Sequence, residues 1–448
     1  DTDELFVRYG VSGSFAMHHM PATGVSGVDI YTYDQNGGER WLAGQMRFAD
    51  TCSYTYRGID FEPEKAHDYI MYLPLYNGVT WLEVGVPEGK KFEWLPLRRE
   101  KPIVAYGTSI AHGACASRTG MAWTNILQRR FDTPVINLGF SGNAKFDTAV
   151  IDLIGQCDAS IYLIDAMPNS YSMPVEMLKD TCYKAMRRLR EARPETPILM
   201  IDHLGYPHGS TITERKQIAD RGNAAQHEVY EQLIAEGMND LYYLSYDEIA
   251  LPQDATVEGV HPSDYGMVVL ADKYEAKIRE ILNLPVGGTS TTTPITQNRD
   301  PYEWQDRHQK ILAETQGKHY PAVIVGNSIV HFWSGDESNR GNGKQVWDKY
   351  LSDALNLGYG WDRIENTLWR VYHGEFEGYT ADRIYVMLGT NNLASNSDDE
   401  IVEGLQNLWS QIAVRRPEAD LVVVGILPRR NTEGRIKNLN KRLQGAAG

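Results

Sequence analysis

Residues 106–118 have the sequence YGTSIAHGACASR, and this stretch decides the fold class. It continues an apolar run, residues 103–106, that is typical of a buried strand, and it delivers Ser109 to a turn directly after that strand. Residues 322–332, AVIVGNSIVHF, repeat the pattern and place Ser328 at the same point. Ligands of open parallel sheets bind at the carboxyl ends of the strands. The two stretches therefore predict two parallel α/β units, each with a serine where a ligand would bind.

The surrounding sequence supports this fold for the first unit. Apolar, strand-like runs alternate with amphipathic, helix-like runs from residue 101 to residue 282. The predicted strands are 103–106, 135–138, 159–164, 198–201 and 241–244, and the predicted helices are 119–131, 175–192, 220–236 and 267–282. This alternation predicts a flavodoxin-like parallel sheet with helices on its faces.

The regions on either side of this unit differ from it. Residues 1–98 contain short apolar runs separated by turn signals, which predicts a β-sandwich of jelly-roll-like type. Residues 285–301 are rich in Gly, Thr and Pro and are predicted to form a linker. Beyond it we predict helices 303–314 and 397–415 and strands 322–325, 354–357, 383–388 and 420–425. The expected domains are 1–98, 99–284 (catalytic) and 302–448 (a second α/β unit).

The two α/β units contain the same blocks in the same order. GTSI, NLGFSGN and LIDAMPN in the first correspond to GNSI, NLGYGWD and MLGTNN in the second. The spacing from Ser109 to Asn137 equals that from Ser328 to Asn356. Ordered blocks at matched spacing indicate a duplication of one fold.

The first unit contains the residues of a nucleophilic mechanism. A serine attacks only if a base removes its proton and if donors stabilise the oxyanion. The segment VEGVHPSDYG, residues 257–266, places Glu258 three residues before His261. We expect His261 to be the base for Ser109 and Glu258 to orient the imidazole, with Asp254 and Asp264 as alternative orienting groups. The oxyanion donors would be the Asn169 side chain and the N–H groups of Ser109 and Gly142.

Two further side chains near Ser109 are candidates for substrate binding. His112 lies three residues after Ser109, so it is either a base by proximity or a residue that lines or packs the pocket. The planar guanidinium of Arg118 suits a substrate carboxylate, but a structural ion pair is an equal alternative.

These blocks resemble the SGNH (GDSL-type) hydrolase family, whose Ser, Gly, Asn and His correspond to Ser109, Gly142, Asn169 and His261. Glu258 stands where that family usually has Asp, and Thr108 replaces the Asp of the GDS motif. GVDIY, residues 27–31, resembles the GxDLY segment of a β-sandwich that precedes the catalytic domain in some bacterial SGNH esterases. The second unit is similar to the platelet-activating-factor acetylhydrolase-like branch.

The second unit departs from the family pattern. Its candidate site residues are Ser328, Asn391 and a backbone N–H at Gly360, because Trp361 stands where the oxyanion glycine is expected. No histidine follows Asn391, so the unit lacks its His block here. Either the sequence is truncated or this unit cannot complete a triad.

Composition and charge limit the kinds of binding partner and the cellular compartments that we expect. The net charge of −15 disfavours nucleic acid and anionic membrane, and no stretch of 18 uninterrupted apolar residues predicts a membrane span. The four cysteines form no motif typical of a metal site, so we expect no metal or cofactor and at most one disulfide. The first residues, Asp-Thr-Asp-Glu, are compatible with a processed protein, so we expect a secreted or periplasmic location.

The resemblance implies a carbohydrate O-acetylesterase that acts on an acetylated sialate or plant cell-wall glycan, with a slight preference for sialate because of Arg118. The alternatives are a lipid or platelet-activating-factor-like acetylhydrolase, or a second unit that serves as a non-catalytic glycan-binding module.

Overall fold

The computed structural model describes residues 2–33, 39–59, 68–95, 97–282, 284, 290–297, 304–334 and 343–446. Three regions follow one another along the chain, and each has its own sheets and its own buried core. No helix in these ranges combines the length and the apolarity that crossing a bilayer requires.

The N-terminal region has two antiparallel, three-stranded sheets, with strand orders β4-β1-β6 and β3-β2-β5. Alternate side chains of β1 and β4, such as Val7, Tyr9 and Tyr54, are buried, which is the period-two pattern of a half-buried strand. Its elements are β1 (Glu4–Val11), α1 (Ala22–Val25), β2 (Asp29–Tyr33), β3 (Glu39–Trp41), β4 (Thr51–Arg57), β5 (Ile70–Tyr72) and β6 (Val79–Gly85).

The first α/β unit has one parallel sheet of five strands in the order β11-β10-β9-β7-β8. Its strands are β7 (Ile103–Gly107), β8 (Val135–Gly139), β9 (Ile161–Asp165), β10 (Ile198–Ile201) and β11 (Leu241–Leu244). Its helices are α2 (Ser109–His112), α3 (Trp123–Phe131), α4 (Thr148–Ile154), α5 (Met167–Ser170), α6 (Val175–Ala192), α7 (Thr213–Ala235), α8 (Tyr246–Ile249) and α9 (Asp264–Ile281). The predicted fold class is confirmed for this unit.

Helices cover both faces of this sheet. Helices α4, α6 and α7 share one buried cluster with the strands. On the opposite face, α3 and α9 pack on strand residues such as Ala105 and Leu163, neither of which is exposed. Helix α9, which follows the segment that carries His261, therefore also covers one face of the sheet.

The second α/β unit has a parallel sheet of four strands in the order β14-β13-β16-β17. Its strands are β12 (His319–Tyr320), β13 (Val323–Gly326), β14 (Leu355–Gly358), β15 (Thr380–Ala381), β16 (Arg383–Met387) and β17 (Asp420–Val423), where β12 pairs with β15 separately. Its helices are α10 (Trp304–Thr315), α11 (Ser328–His331), α12 (Lys344–Tyr350), α13 (Ile364–Tyr372), α14 (Asp398–Arg415) and α15 (Glu433–Ala446).

Part of the predicted linker is packed on the second unit. Residues 285–289 and 298–301 lie outside the described residues. Thr291 is buried and its hydroxyl donates to the Glu400 carbonyl at 2.6 Å, and Gln297 donates to the Gly360 carbonyl at 2.8 Å. Composition predicted a linker because these short polar residues favour loops, but their hydrogen bonds make residues 290–297 part of the second unit.

Candidate active site

Ser109 begins helix α2 immediately after strand β7. The Thr108 hydroxyl accepts from the Ile110 N–H at 3.2 Å and so caps the helix, which explains why Thr can replace Asp at this position. A Cβ on Gly107 would lie 2.6 Å from Cβ of Ala111, so the turn needs glycine to bring strand and helix this close. The turn holds the Ser109 side chain at the carboxyl end of the sheet.

The structure brings His261 and Glu258 to this serine. Nε2 of His261 lies 2.9 Å from Oγ of Ser109, and Nδ1 lies 2.6 Å from Oε1 of Glu258. The Val257 N–H donates to the His261 carbonyl at 2.9 Å, so the segment folds back on itself and aims both side chains at Ser109. With Nδ1 protonated towards Glu258, Nε2 is free to accept the serine proton.

The alternative carboxylates do not contact the His261 ring. Asp264 accepts from the Ser117 N–H at 2.8 Å and from the Ser117 hydroxyl at 2.5 Å. Asp254 has no hydrogen bond to His261 within the part of the chain that the structure describes. Of the three carboxylates considered from the sequence, only Glu258 is placed to orient the imidazole.

The predicted oxyanion donors surround the same strand ends. The Phe140 N–H donates to the Gly107 carbonyl at 2.7 Å, which ties the loop of Gly142 to the serine turn. The Ala144 N–H donates to Oδ1 of Asn169 at 3.3 Å, so the Nδ2 amino group of Asn169 is left to donate elsewhere. Gly142 has a φ of 75°, a conformation that favours glycine. The loop and Asn169 are therefore held together beside Ser109.

His112 stacks on a tyrosine from the N-terminal region. Its ring centroid is 4.2 Å from that of Tyr76, and burial lowers the pKa of its imidazole, so the ring is neutral at pH 7. The Ser109 hydroxyl is paired with His261 and not with His112. The structure therefore favours the packing alternative for His112 over the base alternative.

Arg118 forms an ion pair with the N-terminal region. Its Nη1 donates to Oδ2 of Asp29 at 2.9 Å and to the Tyr31 hydroxyl at 2.6 Å, and the guanidinium lies 4.0 Å from the ring centroid of Trp41. Of the two alternatives for Arg118, the structure therefore favours the ion pair, because the guanidinium contacts the buried carboxylate of Asp29. Asp29 and Tyr31 belong to the GVDIY segment, so this motif fastens the β-sandwich to the first α/β unit.

Two site neighbours were missed by sequence reasoning. The rings of His19 and His261 lie 5.4 Å apart between centroids, and Cys115 Sγ is 3.9 Å from Oε2 of Glu258. Cys115 has a φ of 70°, and its thiol donates to the His19 carbonyl at 3.2 Å. No local signal marks His19, because it reaches the site only when the two regions dock. All four cysteines are free thiols, so the disulfide that the sequence allowed is not formed.

The serine turn of the second unit is built in the same way as the first. Oδ1 of Asn327 accepts from the Ile329 N–H at 3.0 Å, as Thr108 does for Ile110. Nδ2 of Asn356 donates to the Val330 carbonyl at 2.8 Å, and Nδ2 of Asn137 donates to the Ala111 carbonyl at 2.7 Å. Matched hydrogen bonds at matched positions support the duplication.

The donors around Ser328 are nevertheless arranged differently. Nδ2 of Asn391 donates to the Asp362 carbonyl at 2.9 Å, so this amino group is already engaged within the second unit. The prediction for Gly360 is wrong, because its N–H donates to Nδ1 of the buried His331 at 3.1 Å. Trp361, with a φ of 62°, occupies the position that corresponds to Gly142. Within the described residues, no side-chain base bonds to the Ser328 hydroxyl.

Beside Ser328 lies an apolar cavity of about 830 Å³. It is lined by the sheet face that carries Ile324, Tyr385 and Met387 and by Phe332 and Leu427. When the two sheets are aligned by their strand register, this face corresponds to the face of the first sheet that α9 covers. The cavity therefore occupies the place of a covering helix.

Comparison with known proteins agrees with this architecture. Residues 1–92 match the GxDLY model, which describes the N-terminus of an SGNH-hydrolase-type esterase. Residues 100–279 and residues 324–447 each match a model of the GDSL-like lipase/acylhydrolase family.

Individual relatives cover parts of the chain. Platelet-activating factor acetylhydrolase IB subunit alpha1 of Bos taurus is 28% identical over 156 residues, which are 34% of this chain and 63% of that protein. The alpha2 subunit of Rattus norvegicus is 29% identical over 142 residues, 31% of this chain and 58% of the relative. The chain thus spans less than two thirds of these relatives. The crystal structure of a protein classed as a GDSL-like lipase from Bacteroides ovatus has a TM-score of 0.57 and 28% identity and covers 63% of this chain and 82% of that one. The chain belongs to the GDSL-like (SGNH) family, with two SGNH-like units behind a GxDLY-type N-terminal region.

Proposed function

We propose that the chain is a serine esterase that removes acetyl groups from carbohydrates, with Ser109 as the nucleophile. The observation that carries the proposal is the chain of contacts from Ser109 Oγ through the His261 ring to Glu258, at 2.9 Å and 2.6 Å. Such a chain activates a hydroxyl for attack on a carbonyl without a metal or cofactor.

The reaction would proceed in two steps. His261 accepts the Ser109 proton while Oγ attacks the acetyl carbonyl, and the N–H groups of Ser109 and Gly142 with the Asn169 amide stabilise the oxyanion. His261 then gives the proton to the sugar oxygen, which leaves as an alcohol. Water, activated by the same imidazole, attacks the acetyl-serine and releases acetate, and the hydroxyl of Ser109 is restored.

Aromatic side chains near the site support a carbohydrate substrate. Tyr76 stacks with His112. The His208 ring lies beside Gly259, the residue after Glu258, because a Cβ on Gly259 would be only 2.6 Å from that ring. Rings with an apolar face and a polar edge suit the mixed surface of a sugar. The pairing of Arg118 with Asp29 removes the residue that favoured an acidic sugar such as sialate. A secreted or periplasmic location is part of this proposal.

The test compares two serine variants of the intact chain. Acetate release from p-nitrophenyl acetate and from an acetylated xylan is measured for the unmodified protein, Ser109→Ala and Ser328→Ala. We expect Ser109→Ala to lose roughly three decades of kcat or more, and Ser328→Ala to stay within about twofold. Activity that survives in Ser109→Ala and disappears in Ser328→Ala would overturn the assignment.

A lipid acetylhydrolase is the second candidate, favoured by the apolar cavity beside Ser328 and by the names of the curated relatives. It predicts that esters with long acyl or alkyl chains are hydrolysed faster than p-nitrophenyl acetate, and that Ser328→Ala abolishes the difference.

If neither serine variant affects long-chain esters, the second unit is a non-catalytic module, and direct titration with glycans tests it as a binding site.

A further inference from the structure

Three potential metal ligands from distant parts of the chain meet beside the proposed triad. One ligand atom each of His19, Cys115 and His261 lies within 4.8 Å of the other two. His19 is exposed, Cys115 is buried, and His261 is partly buried. The N-terminal region supplies His19, the loop after α2 supplies Cys115, and the segment before α9 supplies His261.

The ligand types define the class of ion. Two imidazoles and one thiolate suit Zn²⁺ and the softer Cd²⁺ and disfavour the oxygen-preferring ions Mg²⁺ and Ca²⁺. In a tetrahedral zinc site, with bonds of ~2.0–2.3 Å, ligand atoms lie about 3.5 Å apart. The cluster must therefore contract by about 1 Å, and the exposed side chain of His19 has the freedom to do so.

The surroundings supply what a ligating histidine needs. Oε1 of Glu258 lies 2.6 Å from Nδ1 of His261, and a carboxylate in this position orients a ligating histidine in zinc sites. Oε2 of the same Glu258 lies 3.9 Å from Cys115 Sγ, so its negative charge also lies close to the incoming cation. The thiol proton is released to solvent when the metal binds.

We propose that His19, Cys115 and His261 form a binding site for Zn²⁺ or Cd²⁺, and that the bound ion switches the hydrolase off. Both nitrogens of His261 are used by the triad, one towards Ser109 and one towards Glu258. Whichever nitrogen the metal takes, one of these contacts is lost, and Ser109 loses its oriented base. The inhibition rests on the proposed function, whereas the binding does not.

Binding is tested first, by a readout that is independent of activity. Cd²⁺ is titrated into the intact protein, and the ultraviolet charge-transfer band of a cadmium thiolate is followed. We expect the band to saturate at one equivalent of Cd²⁺. The band should be absent in Cys115→Ser, and the affinity for Cd²⁺ should fall at least about tenfold in His19→Ala. His18→Ala and Cys157→Ser are the matched controls, and both keep the band, because these residues lie outside the cluster. A band that persists in Cys115→Ser, or no band in the unmodified protein, would overturn the site.

Inhibition is tested next, with Zn²⁺ and p-nitrophenyl acetate. The unmodified protein, His18→Ala and Cys157→Ser should lose activity at the same zinc concentration and regain it with EDTA. Cys115→Ser and His19→Ala should need at least about tenfold more zinc. Equal sensitivity of all variants would overturn the inhibitory role.

One variant separates this inference from the proposed function. Ser109→Ala should bind Cd²⁺ with the same band and affinity as the unmodified protein, although it lacks esterase activity. If Ser109→Ala remains active while the band depends on Cys115, the triad assignment fails and the metal site stands. If Ser109→Ala is inactive and the unmodified protein shows no cadmium band, the metal site fails and the triad stands.

Discussion

In the first α/β unit, helix α9 covers the sheet face of Ala105 and Leu163, whereas in the second unit the matching face, with Ile324 and Tyr385, borders a cavity of about 830 Å³. Helix α15 does not fill this space, because its buried residues share a cluster with α13 and α14 on the opposite face. The described residues of the second unit therefore contain a counterpart of α7 but none of α9.

The comparison shows that the serine turn and the catalytic base are separate structural modules. The turn depends on local contacts: a cap at Thr108 or Asn327 and an asparagine, Asn137 or Asn356, that bonds the helix carbonyls. Both units keep these contacts. The base comes from the segment that leads into α9, so the base and the helix that covers the apolar face are present or absent together.

The largest expected difference concerns the carboxylate that completes the first site. We expect Glu258→Gln to lower kcat for p-nitrophenyl acetate by roughly 10³- to 10⁴-fold, because the neutral amide no longer fixes the His261 tautomer or stabilises the imidazolium. The matched control is Asp264→Asn, which disturbs only the bonds to Ser117 and should stay within about tenfold. A loss in Asp264→Asn that equals or exceeds the loss in Glu258→Gln would overturn the assignment of Glu258 as the orienting carboxylate.

Sequence alone was sufficient for the features that are local in the chain. The strand before Ser109 and the pair Glu258 and His261, three residues apart, could be predicted because apolar runs and short turns depend on neighbouring residues. The repeat gave the fold of the second unit from its blocks. Helix 119–131 was predicted with its first turn included, but Thr119–Met121 is a separate 3-10 turn and α3 begins at Trp123.

Features that depend on docking between regions could not be predicted. The sequence left Arg118 as either a substrate-binding cation or a member of a structural ion pair, and only the packed sandwich shows that Asp29 and Tyr31 contact it. His19 has no sequence motif, and it nears His261 through the same docking. Gly360 was predicted because Trp361 stands where the oxyanion glycine is expected, but the backbone conformation that matches Gly142 belongs to Trp361.

A smaller difference is expected between the two asparagines of the third block. Asn169→Ala should lower kcat about 10²- to 10³-fold, as the loss of an oxyanion donor does. Asn391→Ala should leave kcat unchanged but lower the free energy of unfolding by about 1–2 kcal/mol, because the Asp362 carbonyl loses its donor. Activity assays and urea denaturation of both variants measure the contrast. A loss of activity in Asn391→Ala would show that the second site participates in catalysis.

The last expected difference concerns the pH dependence of stability. Asp165 is fully buried, only one of its oxygens is bonded, by the Tyr274 hydroxyl at 3.2 Å, and burial raises the pKa of its carboxyl to about 8. The register places Met387 at the same position of the second sheet. Between about pH 4 and pH 8 the folded chain holds a proton on Asp165 that the unfolded chain releases, so rising pH lowers stability by up to ~1.4 kcal/mol per unit. Urea midpoints of Asp165→Asn should lose this slope, because the amide does not titrate, whereas Met387→Leu should keep it. Equal slopes in Asp165→Asn and the unmodified protein would show that Asp165 does not hold a proton in the folded state.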